Sequence, residues 1–285
     1  MLDAPASFCV TAPTPLPVAQ LALGKPPEQV AELIPRLFNL CRAAQVVGVR
    51  LALGLPVPEG VDLCEDIRRE HVMRLAVLLP TRLGLPRRTP IDWSVPQSRA
   101  LLDGFPGPPA AFLSYLSGGR GIAPLLRAVA TAFPAGAGAT GVLPTVSDAT
   151  AFVAVARENS VAARHLDHPV MRFIETTHGR GPLWRVVARA LDLQAVERGR
   201  LPAPRLIAPG CALVPAARGV YAVRAQTEAG RVTGLTRITP TDHLLAPGGL
   251  MDLALASVQT HDAAQALVDI LDPCVALKLE EAEHA

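Results

Sequence analysis

Five cysteines, Cys9, Cys41, Cys64, Cys211 and Cys274, are the side chains best suited to thiol or soft-metal chemistry in this sequence. Their number is odd and they are widely scattered, which suits a reducing cytoplasmic setting better than a disulfide framework. Cys9, Cys64 and Cys211 are read as small buried hydrophobes. Cys41 and Cys274 each fall near a helix end and next to a loop, where thiolates could point into one shared crevice. Two other patterns are weaker. "HLDH", residues 165–168, spaces two histidines for one metal, but no third ligand is near and Pro169 follows at once. "GAGATG", residues 136–141, fits GxGxxG, yet Pro134 and Pro144 disrupt the strand and helix that a dinucleotide site needs, so it is read as a loop.

The elements that must place these groups follow from periodicity. Residues 1–26 are rich in Pro and Ala and read as extended or loosely ordered. Apolar residues then recur at helical spacing from Pro27 to Leu51, with Pro35 marking a kink or a new helix start. A helix beginning at Pro35 puts Cys41 two turns in, on the apolar stripe, with Gln45 one turn further. Residues 64–86 form a second amphipathic helix ended at or soon after Pro80. Residues 96–117 and 120–133 suggest two short helices, 134–149 a loop, and 147–166 and 182–197 helices separated by "TTHGRG". Residues 210–241 are rich in Val, Thr and Arg around a turn at Glu228-Ala229-Gly230, and read as an antiparallel hairpin or small sheet. Residues 257–271 return to helix, and Asp272, which precedes Pro273, ends it. The expected fold is mainly α with a small antiparallel β element, in a single domain over 1–285.

Composition narrows the function. Half of the 285 residues are apolar, net charge is +2 with the two signs mixed, and aromatics are few. No basic face or stacking surface for nucleic acid appears. No apolar run reaches membrane-spanning length without a charge, Gly or Pro, and the opening segment lacks a secretory pattern. The expectation is therefore a cytoplasmic protein with no nucleic-acid or membrane partner.

Several segments, in order, resemble the large subunit of nickel–iron hydrogenases. "RLFNLCRAAQ" (36–45) is similar to that family's RxCGxCxxxH motif, "VPAARGVYAVRAQTEAGRVTGLTRITPT" (214–241) to its EAPRG–hairpin–VPT/S segment, and "DPCVAL" (272–277) to its DPCxxC motif. "EHVMRLAVLLP" and "HGRGPLWRVVARAL" are similar more loosely. In that family four cysteines hold nickel and iron, two bridging the metals and two binding nickel alone. Here Phe38 stands at one nickel position and Leu277 at one bridging position, while Cys41 and Cys274 remain. Gln45 replaces a histidine, and Glu280 falls where the family's C-terminal peptide is cut. Neither Phe nor Leu offers a lone pair, so no nickel is expected. The pattern resembles the HupK/HoxV-type hydrogenase accessory proteins, a shortened large-subunit-like group.

That resemblance implies a maturation factor rather than an enzyme: a scaffold or carrier for the iron–cyanide–carbonyl fragment before its delivery. It implies Cys41 as principal iron ligand and Cys274 as second ligand or transfer thiol. Arg218 and Thr241 would donate hydrogen bonds to cyanide. Implied partners are the small maturation chaperone, its cluster-containing companion and the hydrogenase large-subunit precursor. Four alternatives stand beside this: Cys274 only packs; Arg218 pairs with a buried acid such as Asp272 or Glu228; Thr241 caps a turn; the chain is a cofactor-free adaptor that binds maturation partners by shape. A residual redox enzyme would need cluster-binding cysteines that the sequence does not offer. If the implied site forms, Cys41, Cys274, Arg218 and Thr241 must converge.

Overall fold

A computed structural model describes residues 7–38, 40–88 and 95–281. Its elements run β1 (Phe8–Thr11), α1 (Val18–Ala22), α2 (Pro27–Leu33), α3 (Arg42–Ala52), α4 (Leu63–Met73), α5 (Leu79–Arg82), α6 (Val95–Leu101), α7 (Pro109–Ser117), α8 (Ala123–Ala132), α9 (Pro169–His178), α10 (Pro182–Glu197), β2 (Arg205–Ala208), β3 (Cys211–Ala216), β4 (Gly219–Glu228), β5 (Arg231–Ile238), α11 (Pro240–Leu244), α12 (Leu250–Leu255), α13 (His261–Leu271) and β6 (Lys278–Glu281). Helix predominates. The expected β element is a four-stranded antiparallel meander in the order β2-β3-β4-β5. A second sheet was not foreseen: β1 pairs antiparallel with β6, Phe8 opposite Glu281, so the two ends of the described chain meet. Residues 1–6 of the expected extended segment, and 282–285, lie outside the described residues. Among the described residues no helix is long and apolar enough to cross a membrane.

Helix α10 is the centre of the larger core. All but two of its residues are buried, Trp184 fully so. A helix buried on every side is usually apolar. This one carries Arg185, Arg189 and Asp192, and each has found a partner. Arg185 pairs with Glu158 at 3.3 Å, Arg189 with Asp272 at 2.9 Å. Asp192 accepts from Arg164 (2.8 Å) and His165 (3.0 Å) and meets His71 Nε2 at 2.8 Å. His165 of "HLDH" is thus a hydrogen-bond partner of Asp192, and His168 caps α9 by accepting from the Val170 N–H. The smaller core lies between α3 and the meander, where Val47 and Val49 pack with Val214, Tyr221 and Val223.

Several local expectations fail for identifiable reasons. Residues 37, 38, 40 and 41 leave the helix before α3 begins, yet Leu37, Phe38 and Cys41 pack on the same core as their helical neighbours, so the apolar spacing continues without a helix. Segment 147–160 is a chain of turns and α9 forms instead. Ala151, Val146 and Phe152 bury against Leu213 and Ala222 of the sheet. Residues 96–117 split at Gly104 and Pro106. In the second helix, Pro80 has no N–H to give Ala76, and a π-helical turn, Arg74–Leu78, precedes it. The orphaned Ala76 carbonyl accepts from Arg88 N–H at 2.9 Å.

His71 is fully buried between Asp192 on Nε2 and Arg189, whose Nη1 lies 3.3 Å from Nδ1. A guanidinium can only donate, so Nδ1 accepts, Nε2–H donates to Asp192, and the ring is neutral. Burial lowers its pKa from 6.5 against the opposing pull of Asp192. The unfolded ring therefore binds protons first as pH falls, and stability must drop below about pH 6.5. Thermal unfolding midpoints should decrease from pH 7 to pH 5, with a shallower slope in His71→Gln.

Candidate metal-fragment site

The turn between β3 and β4 has two residues, Ala217 and Arg218, inside the Ala216–Gly219 pair. It is clamped from outside. Arg164 Nη2 donates to the carbonyls of both Ala216 and Gly219 at 2.6 Å. Asn159 donates to the Val220 carbonyl and accepts from its N–H at 2.7 Å. Gly219 has φ +144°, and a Cβ there would stand 2.4 Å from Asn159 Oδ1. Asp192 holds Arg164, so the central helix fixes the turn.

Arg218 projects from that turn into the protein and is 6% exposed. Its Nε donates to the Asp272 carbonyl (3.0 Å), Nη1 to Cys41 Sγ (3.2 Å), and Nη2 to Glu70 Oε2 and Asp272 Oδ1 (both 3.0 Å). A guanidinium has five N–H donors. Four are placed by these bonds, and one on Nη1, the nitrogen facing Cys41, is left. Burial works against the charge, but Asp272, Cys41 and Glu70 outweigh it and hold the pKa above its usual value. The buried acid that pairs with Arg218 is thus Asp272, joined by Glu70. Glu228 lies at the far, exposed end of β4.

Cys41 is not on a helical stripe. It is the N-cap residue of α3, in the left-handed region at φ 52°, ψ 40°. Asp272, the C-cap of α13, is also left-handed at φ 56° and not in the extended region usual before proline. Three non-glycine residues have positive φ among the described residues; the third, Ala229, is in a hairpin turn. Each such conformation costs roughly 1–2 kcal/mol. The two at Cys41 and Asp272 face the same guanidinium, whose charge-assisted bonds, about 1.5–3 kcal/mol each, offset that cost. Arg74 and Arg189 also bind the Asp272 carboxylate, so three guanidiniums share it.

Thr241 does not cap its helix; Thr239 does. Thr241 is 6% exposed, and its oxygen accepts from the Cys274 N–H at 2.9 Å. That bond leaves the hydroxyl proton uncommitted. The structure therefore forms two pairs, Cys41 with Arg218 and Thr241 with Cys274, and the segment Asp272-Pro273-Cys274 joins them. Both cysteines are free thiols, each partly buried. Cys64 and Cys211 are also partly buried, but Cys9 is exposed, against expectation. Glu70, Asp272, Arg189 and Arg74 complete the site. Glu70 and Arg74 lie in "EHVMR" and Arg189 in "WRVVARAL", where charges inside apolar helix pattern were the available signal.

The positions taken by Phe38 and Leu277 are filled by packing. The Phe38 ring is covered by Arg237, whose Cζ is 4.1 Å from the ring centroid. Arg237 also donates to Gln45 Oε1 (2.8 Å) and Tyr221 Oη (2.7 Å). Leu277 packs on the larger core. A surface cleft of about 560 Å³, lined in part by Arg42, Ala43, Asp66 and Arg69, opens beside the first turn of α3. Among the described residues no three His, Cys, Asp or Glu side chains converge as metal ligands.

The fold is that of hydrogenase large subunits. The nickel–iron–selenium hydrogenase of Desulfovibrio vulgaris Hildenborough in its reduced state aligns with TM-score 0.57 at 13% identity, over 92% of both chains. The G491S variant of that hydrogenase, pressurised with oxygen, aligns with TM-score 0.56 over 95% of this chain and 99% of its own. No protein-family model matches the sequence. The hydrogenase expression/formation protein HupK of Rhodobacter capsulatus is 49% identical over 282 residues, spanning 97% of this chain and 94% of the relative. The chain belongs to the HupK family of hydrogenase expression/formation proteins.

Burial pushes the Cys41 thiol up to about 11; Arg218 pulls it down, Glu70 and Asp66 push it further up. In a variant with the other four cysteines changed to Ser, thiolate absorbance should titrate near that value. Glu70→Gln should lower the midpoint and Arg218→Lys, with its shorter reach to sulfur, should raise it.

Proposed function

We propose that this protein acts in hydrogenase formation as a receiving scaffold for an iron fragment carrying cyanide and carbonyl ligands, and is not itself an enzyme. The fragment is cargo. Cys41 is its principal thiolate ligand. Arg218 donates its remaining Nη1 N–H to one cyanide nitrogen, and Thr241 its uncommitted hydroxyl proton to another. Cys274 is the second ligand or the thiol through which cargo leaves. The observation that carries this reading is the spare Arg218 N–H on the nitrogen that already holds the Cys41 sulfur. A metal-bound cyanide accepts charge-assisted hydrogen bonds, and a soft thiolate suits low-spin iron. Phe38 under Arg237 and Leu277 in the core supply no donors for nickel. The proposed partners are the small maturation chaperone, its cluster-containing companion and the large-subunit precursor, in the cytoplasm.

Loading replaces the Cys41 proton. Iron retention by anaerobically isolated protein should therefore rise with pH, approaching about tenfold per unit below the thiol's pKa. Cys41→Ala should abolish retention. Thr241→Val keeps the shape but removes both the hydroxyl donor and the acceptor of the Cys274 N–H, and should weaken retention about 10-fold or more. Arg218→Leu is a poor test, because it also removes the bonds that tie Cys41, Glu70 and the Asp272 backbone together. If Cys41→Ala keeps its iron, the ligand assignment is wrong. If the native protein binds the maturation partners but never carries iron, the cofactor-free adaptor is the right description.

A further inference from the structure

A small, partly enclosed cavity of about 20 Å³ lies between α10, the 3₁₀ turn Val161–Arg164, and α13. Its lining is Arg185, Arg189, Arg218, Ser160, Val161, Ala162 and Ile270. That volume holds one water-sized occupant. The three arginine side chains are each at most 7% exposed. Arg185 has a buried Nε without any hydrogen-bond partner among the described residues. Such an orphan donor costs about 1–3 kcal/mol unless something accepts from it.

The choice of occupant follows from donors and charge. Guanidinium groups offer donors and no acceptor. Ser160 already gives its proton to Glu158 at 2.6 Å, and no carboxylate lines the space. A water would find partners for its lone pairs, but no lining side chain with a free acceptor site better than the Ser160 oxygen, which already accepts from Ala162 N–H. A single-atom anion needs donors alone. The charges around it agree: Arg74, Arg185, Arg189 and Arg218 share three carboxylates, Asp272, Glu70 and Glu158.

We infer that this cavity is a binding site for one small monovalent anion of halide size, held by Arg185 and Arg189 with Arg218 in its wall. The site does not rest on the cargo reading. It compensates the surplus guanidinium charge.

Bromide is the probe. Crystals of the native protein grown in sodium bromide should give an anomalous peak within hydrogen-bond distance of the arginines. In solution, chloride or bromide should raise the unfolding midpoint by about 2–4 °C over gluconate at equal ionic strength, saturably. Ala162→Val narrows the cavity without touching a charge, and should abolish both the peak and the halide-specific rise. A cavity holding only a water, or empty, in saturating bromide would overturn the inference. So would a halide effect that survives in Ala162→Val.

Discussion

A buried guanidinium tolerates no idle donors cheaply, and Arg218 is the one on which the site depends. Four of its five N–H groups reach three elements, two near the start of the chain and one near its end. Cys41 opens α3, Glu70 lies on α4, and Asp272 closes α13. Both cap residues hold backbone conformations that ordinary side chains avoid. The same hydrogen bonds that satisfy Arg218 keep those caps in place. The arginine is thus a fastener for the loops that bear the two cysteines, before it is a ligand-recognition group.

That fastener is itself held by the central helix. Asp192 grips Arg164, Arg164 grips the turn carbonyls, and the turn aims Arg218. A second route runs from Asp192 through His71 and Arg189 to Asp272. Buried ionic networks of this kind are seldom the most stable solution for a core, since desolvation cancels much of the attraction. Their effect here is positional. They convert a helix packed on all sides into a frame that fixes one guanidinium to within a hydrogen bond.

How much of this could be read from the sequence depended on the range of the interactions. The 210–241 sheet and the final helix were legible, because alternation, a Gly turn and a Pro stop are local signals. Cys41, Arg218, Thr241 and Cys274 were singled out by motif resemblance, and the structure places them in two pairs joined by Asp272-Pro273-Cys274. The Cys41 backbone was misread as helical because Leu37 and Cys41 keep helical spacing while packing from an irregular stretch. The acids that satisfy Arg218 were only partly foreseen. Asp272 stood beside the motif, but Glu70 is 148 positions away from its partner and sits in an unremarkable amphipathic pattern. The β1–β6 pairing, with Thr11 opposite Lys278, leaves no local trace.

The central claim, that the Cys41–Arg218 pair together with Thr241 receives a cyanide-bearing iron fragment, is tested most directly by infrared spectroscopy. Protein isolated without oxygen from cells making the hydrogenase maturation machinery should show cyanide and carbonyl stretching bands. The cyanide bands should shift in Thr241→Val, and all bands should vanish in Cys41→Ala. A native spectrum without these bands, in protein that retains its maturation partners, would contradict the account.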